Sequence, residues 1–251
     1  MSAYALEVED LAVSFSGFRA VDGVSLRVAQ GELRVLLGAN GAGKTTLMDL
    51  ISGRTRATEG RVRLNGRDVT NLREYRIARA GIGRKFQIPS VFGGLTVRQN
   101  IEVAQSKLPG VFANLRLGRS REDHAAVDEA LDLVGLAPVA TVEAGTLSHG
   151  QTQWLELGML MMQNPPVILL DEPTAGMTQA ETGKTAAIIN RLKGRHTLLV
   201  VEHDMAFVRD IAERITVLHL GRVLAEGSVA EIEGNAEVRA AYLGTQGISA
   251  C

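Results

Sequence analysis

Along the first forty residues, apolar positions fall in short runs bounded by glycine or charge. Leu6–Phe15 alternates well enough for a strand, and Val24–Val28 and Leu33–Leu37 read as two more. The third runs directly into a glycine-rich loop, after which Lys44–Ser52 has helical character. Arg61–Leu64 followed by Asn65-Gly66 has the composition of a hairpin edge. The opening third therefore combines antiparallel strands with one strand–loop–helix unit.

From Ile88 to Gln163 the pattern changes to helical spacing, with Val97–Gln105, Glu122–Val134 and Gln151–Gln163 as the predicted helices. Lys107–Asp123, with Pro109, Gly110, Gly118 and the cluster Arg116, Arg119, Arg121, reads as a solvated loop or as a surface for a partner protein or lipid head groups. After Pro165-Pro166, strand Val167–Asp171, helix Gln179–Lys193, strand Thr197–Val201, helix Met205–Ala212 and strand Ile215–Leu220 alternate. Short apolar strands alternating with helices predict a parallel sheet covered on both faces. A helical block thus interrupts an α/β core.

Composition narrows the class. The 251 residues are 45% apolar and 22% charged, which allows an ample core. A net charge of −1 argues against a polyanion as main partner, so no nucleic acid is expected. The single cysteine, Cys251, excludes a disulfide within one chain. No run approaches the roughly 18 apolar residues of a membrane-spanning helix, and Met1–Glu7 lacks the basic start of a secretory signal. The expected location is cytoplasmic, with any work at a membrane done by docking onto another protein.

Three stretches carry chemistry. Gly38-Ala39-Asn40-Gly41-Ala42-Gly43-Lys44-Thr45, with Thr46 following, fits the phosphate-binding pattern and has the strand before it and helix after it that the pattern requires. Its glycines let backbone N–H groups converge on phosphate oxygens, and the helix adds its positive dipole end. Lys44 would reach the terminal phosphates and Thr45 would offer a hydroxyl to Mg²⁺. Val167–Leu170 is an apolar strand ending in Asp171 and Glu172. Asp171 is placed for the Mg²⁺ shell, and Glu172 for polarising the water that attacks a γ-phosphate. In Leu147-Ser148-His149-Gly150-Gln151, Ser148 and Gln151 have capping-box spacing. That describes either a capped helix alone or a helix end open to an anion, with Gly150 keeping the approach clear.

Together these stretches resemble the ATP-binding subunits of ABC transporters, and the likeness runs through nearly the whole chain. It implies the ABC ATPase fold: an α/β P-loop NTPase (RecA-like) core, 1–87 and 164–251, an antiparallel β part, and an inserted helical subdomain, 88–163. It also implies ATP and Mg²⁺ as cofactors. Leu147–Gln151 matches the signature element, which in the family contacts the γ-phosphate of ATP held by another subunit; His149 stands where glycine is common. Gln87 matches the Q-loop glutamine that contacts Mg²⁺ or the water, and His203 the switch histidine. Phe15 aligns with the aromatic that stacks on adenine, although Phe18 could serve, or either could be core. After Asp171-Glu172-Pro173-Thr174, the family's usual D-loop aspartate is replaced by Thr178.

Ala175-Gly176-Met177-Thr178 and Tyr242-Leu243-Gly244 resemble the importer branch that serves branched-chain amino acids and related small solutes. Within it, His149, Gln153-Trp154-Leu155-Glu156-Leu157-Gly158-Met159 and Met177 are most similar to urea transporter ATPases. The implied partners are transmembrane permease subunits, a second ATP-binding subunit as homo- or heterodimer, and, indirectly, a periplasmic or extracellular solute-binding protein. The implied place is peripheral, on the cytoplasmic face of the inner (plasma) membrane. The alternatives are a branched-chain amino acid importer ATPase and a non-transport ABC ATPase acting on nucleic acid or ribosomes.

Overall fold

The computed structural model describes residues 3–85, 91–105 and 121–241. They group into two compact units: 3–84, 166–173 and 192–241 in the first, 85, 91–105, 121–165 and 174–191 in the second.

The first unit opens with β1 (Tyr4–Phe15), β2 (Phe18–Ala29) and β3 (Leu33–Leu37), followed by α1 (Lys44–Ser52). Next come β4 (Glu59–Leu64), β5 (Arg67–Asp68), α2 (Glu74–Ala80) and β6 (Ile82–Lys85). One sheet has the order β2-β1-β4-β5, with β1 antiparallel to β2 and β4, and β4 antiparallel to β5. Its first hairpin turns through Ser16 (φ 47°) and Gly17 (φ 89°), a left-handed pair that brings Phe15 opposite Phe18. Asn65 and Gly66 turn in the same way between Leu64 and Arg67, as their composition predicts.

The second sheet adds β7 (Val167–Asp171), β8 (Thr197–Val201), β9 (Arg214–His219) and β10 (Arg222–Gly227), in the order β10-β9-β3-β8-β7-β6. β9, β3, β8 and β7 run parallel, while β10 pairs antiparallel at the edge. Every residue of β3, β7 and β8 is buried, as strands covered on both faces require. Leu36, Leu169, Leu199 and Val201 from this sheet join Leu6, Val8, Leu26 and Val62 from the other and Leu47, Met48 and Ile51 of α1 in one core.

Arg34 is the exception within that apolar layer. It lies on β3 with 3% exposure. Its guanidinium donates to Glu32 at 2.7 Å, to Thr216 and Glu226 at 2.9 Å, and to the Arg27 carbonyl at 3.1 Å. One buried cation therefore joins β2 of the first sheet to β3, β9 and β10 of the second, with its donors spent on acceptors.

The second unit contains α3 (Val97–Gln105), α4 (Arg121–Val134) and α5 (His149–Met162), which pack on one another. α4 begins at Arg121, so the C-terminal end of the 107–123 stretch read as a loop is helical; 106–120 lie outside the described residues. Most of α6 (Gln179–Leu192) belongs to this unit as well. The indole N–H of Trp154 on α5 donates to Thr185 on α6 at 2.9 Å, and the Lys184 ammonium lies 3.7 Å from the centre of the Trp154 ring. Helices α7 (Met205–Ile211), α8 (Val229–Gly234) and α9 (Ala236–Ala241) complete the described elements of the first unit.

Removing a buried ion partner leaves the remaining charges uncompensated. Arg34→Ala is expected to destabilise the first unit by about 3–5 kcal/mol, which lowers Tm by roughly 10 °C. A thermal melt within about 2 °C of the parent would show that the cluster holds nothing.

Candidate nucleotide-binding and hydrolysis site

The glycine-rich loop leaves the C-terminal end of β3 and enters α1. Two of its glycines are required by close contact. A Cβ at Gly38 would lie 2.4 Å from the Leu218 carbonyl oxygen, and one at Gly43 (φ 102°) would lie 2.5 Å from that of Ala20. Lys44 is 7% exposed and donates to the carbonyls of Gly38 at 2.7 Å and Ala39 at 3.0 Å. Burial pushes its ammonium below the ordinary lysine value, while the carboxylates of Glu172 and Asp171 oppose that shift. Thr45 is exposed in the first turn of α1, and Thr46 is half-buried beside it.

Asp171 ends β7 with 3% exposure. Burial raises its carboxyl above the usual range, with Arg84 counteracting at 3.8 Å. Its Oδ1 is buried with no hydrogen-bond partner. Such an oxygen beside the hydroxyl-bearing start of α1 suits a hard cation that takes oxygen ligands, so the residues fit Mg²⁺. Arg84 on β6 also reaches Asp49 of α1 at 2.6 Å and donates to the Ser52 hydroxyl at 2.6 Å. Arg84 and Asp49 were not among the predicted residues, because nothing local marks them.

Glu172 follows in the left-handed region (φ 45°), costly for a residue with a Cβ and common at functional sites. Its N–H donates to the Val201 carbonyl at 3.0 Å, which extends the pairing of β7 with β8 by one residue. The turn directs Glu172 Oε1 to within 3.5 Å of His203 Nδ1. Glu202, 1% exposed, accepts from the His203 N–H at 3.1 Å and fixes the backbone that carries the ring. Glu202 is a third residue that sequence reasoning passed over.

Phe15 and Phe18 are 48% and 67% exposed at the tip of the first hairpin, which excludes the core alternative for both. Lys44, Asp171, Glu172 and His203 all belong to the first unit. Gln87 lies outside the described residues.

In the second unit, Ser148 caps α5 as its spacing predicts. Its hydroxyl accepts from the Gln151 N–H at 3.2 Å, and Gln151 Oε1 accepts from the Ser148 N–H at 3.0 Å. The Glu181 side chain packs against Gly150: a Cβ there would lie 2.4 Å from its Oε1, so any larger residue would displace that carboxylate. Ser148 and His149 are exposed.

A glycine-rich phosphate loop leaving a buried parallel strand, with an acidic pair ending the strand two places away, defines a P-loop nucleotide-binding ATPase. A family model described as ABC transporter matches residues 21–175, and one described as branched-chain amino acid ATP-binding cassette transporter matches residues 222–247. The chain is 38% identical to the high-affinity branched-chain amino acid transport ATP-binding protein BraF of Pseudomonas aeruginosa, over 97% of this chain and 99% of that one. It is 36% identical to LivG of Escherichia coli strain K12, which carries the same description, over 97% and 99%. Among solved structures, the ADP conformation of MJ1267, an ATP-binding cassette of an ABC transporter, matches with a TM-score of 0.83 and 29% identity, covering 97% of this chain and 100% of that one. A dimeric post-hydrolysis state of the cassette MJ0796 with ADP and Pi matches with a TM-score of 0.73 and 25% identity, covering 89% and 98%. The chain belongs to the ABC transporter ATPase subunits, of the branched-chain amino acid importer type. Among the described residues no helix is long and apolar enough to cross a membrane.

The buried carboxyl yields a stability prediction. Because burial raises the pKa of Asp171, the folded chain holds this proton more tightly than the unfolded chain. Stability from this group is therefore present at low pH and is lost as pH rises through the window above the unfolded carboxylate value. Asp171→Asn removes this pH dependence, so its Tm relative to the parent's rises between about pH 4 and neutrality, whatever fixed offset the lost charge brings. Calorimetry across that range checks it, and a gap that does not change with pH would exclude this origin.

Proposed function

We propose that this ATPase powers uptake of urea or a short amide, through permease subunits that it engages on the cytoplasmic face of a membrane. The observation that carries the hydrolytic part is the 3.5 Å approach of His203 to a left-handed Glu172, next to a desolvated Asp171. In this reading the backbone N–H groups of Gly38–Thr46 hold the phosphates and Lys44 meets their terminal charge. Thr45 and Asp171, with Gln87, hold Mg²⁺, which when bound neutralises developing phosphate charge. Glu172 polarises a water whose oxygen forms the new bond to the γ-phosphorus; the bond to the bridging oxygen breaks, leaving ADP and inorganic phosphate. His203, steadied by Glu172 and Glu202, contacts the γ-phosphate. Phe15, or its pair Phe18, stacks on adenine.

Ser148, Gly150 and Gln151 act on the ATP of a second ATP-binding subunit. The capped start of α5 supports this, because Ser148 and His149 there are exposed. The dimeric state of MJ0796 with ADP and Pi supports it by analogy. Urea rests on His149, Trp154 and Met177, whose combination resembles the urea branch. The names of BraF and LivG favour a second reading, a branched-chain amino acid as cargo. A solute-binding protein would deliver either cargo from outside.

Glu172→Gln keeps the shape and loses the carboxylate. ATP hydrolysis is expected to fall at least about 100-fold while nucleotide affinity holds, and ATP should then drive a stable dimer in sedimentation. Hydrolysis at the parent rate would remove Glu172 from the mechanism. For the cargo, a deletion strain should lose uptake of labelled urea and keep that of labelled leucine. The reverse result would assign the amino acid reading.

A further inference from the structure

His149 departs from the common glycine of the signature element, and Thr178 from the aspartate of the loop after Glu172. The second unit brings the two departures together. His149 is the first residue of α5, directly after the Ser148 cap, and its ring Nε2 lies 3.1 Å from the carbonyl oxygen of Ala175. A carbonyl only accepts, so the ring nitrogen donates. Gly176 (φ 74°) follows, with the ring packed beside it: a Cβ there would lie 3.4 Å from the same Nε2. At the other end of this short loop, Thr178 is fixed by Glu181, which accepts from the Thr178 N–H and hydroxyl at 2.9 Å each. The side chain of Glu181 also backs Gly150, so a Cβ there would displace its carboxylate.

Behind this exposed layer the same two elements are locked a second time. Thr185 is wholly buried, receives the Trp154 indole N–H at 2.9 Å, and places its hydroxyl 3.2 Å from Met177 Sδ. His149, Trp154 and Met177, the side chains that carry the likeness to the urea branch, thus all meet at the junction of α5 with residues 175–178.

We propose that His149 is a positioning residue that ties the phosphate-facing end of α5 to the 175–178 loop, so that signature and loop move as one body. A glycine at 149 has no donor to offer Ala175. An aspartate in place of Thr178 would add a second carboxylate beside Glu181. The imidazole supplies from the signature side a hold on the loop that does not pass through the residue at 178. Because Ala175, Gly176 and Thr178 are exposed, this body presents both elements to whatever second ATPase subunit closes on it. That last step rests on the dimer reading given above; the tie itself does not.

The test therefore starts with the isolated chain and no nucleotide. In His149→Gly, hydrogen exchange of the 175–178 amides should speed up about fivefold, the worth of one ordinary hydrogen bond, with amides in the middle of α5 unchanged. His149→Gln puts an amide N–H where Nε2 stood and should restore most of the protection. In ATPase assays His149→Gly should lower kcat severalfold and leave KM for ATP unchanged, with Gln again rescuing. Unchanged exchange in the Gly variant, or equal acceleration in both variants, overturns the tie. Altered exchange with kcat unmoved keeps the tie but overturns its role in the closed dimer. If the parent chain does not hydrolyse ATP at all, the ATPase reading fails while the exchange result still decides the tie.

Discussion

Asp171 puts a carboxylate at the end of a strand whose five residues are all buried, and the first unit is arranged around that desolvated charge. Charge so placed persists only with cations nearby. They come from two other elements: Arg84 from β6, and Lys44 from the first turn of α1. Both are themselves nearly excluded from solvent, so the three charges depend on one another. Arg84 also grips Asp49, which ties α1 to β6. The low dielectric that makes this arrangement expensive also strengthens every interaction with phosphate charge arriving there.

Glu172 is the complementary case. It stands one residue beyond Asp171 but turns left-handed, half out of the sheet, where water has access. Two adjacent carboxylates thereby receive opposite environments, one dry and oxygen-poor, the other facing an imidazole. Adjacent residues of a strand already point to opposite faces; the positive φ makes the separation a change of surroundings as well as of direction.

Much of this was legible in the residues because the patterns are local. The phosphate loop is eight residues long, and the capping box spans four, so each motif contains its own partners. Strands β3, β7 and β8 and helix α1 fall where their apolar runs begin and end. What escaped was non-local. Arg34 sits in an apolar run, and its acceptor Thr216 is 182 positions away. Arg84 has no feature that announces Asp49 or Asp171. His149 acquires a partner only because Ala175, 26 positions later, folds back beside it. β10 was missed for another reason: it is a half-covered edge strand with little alternation.

The strand order has a consequence for the making of the chain. Leu33–Leu37 pairs with residues 198–201 and 214–217, so the strand that launches the phosphate loop waits for sequence made some 165 positions later. The loop itself is seated against Leu218 and Gly221. Contacts this distant form late in folding, and synthesis proceeds from the N-terminus at roughly 5–20 residues per second. A nascent chain thus carries the whole phosphate-binding sequence for about 10–30 s before it owns the surface that shapes it. The loop therefore takes its final shape only once residues near the end of the chain have been made.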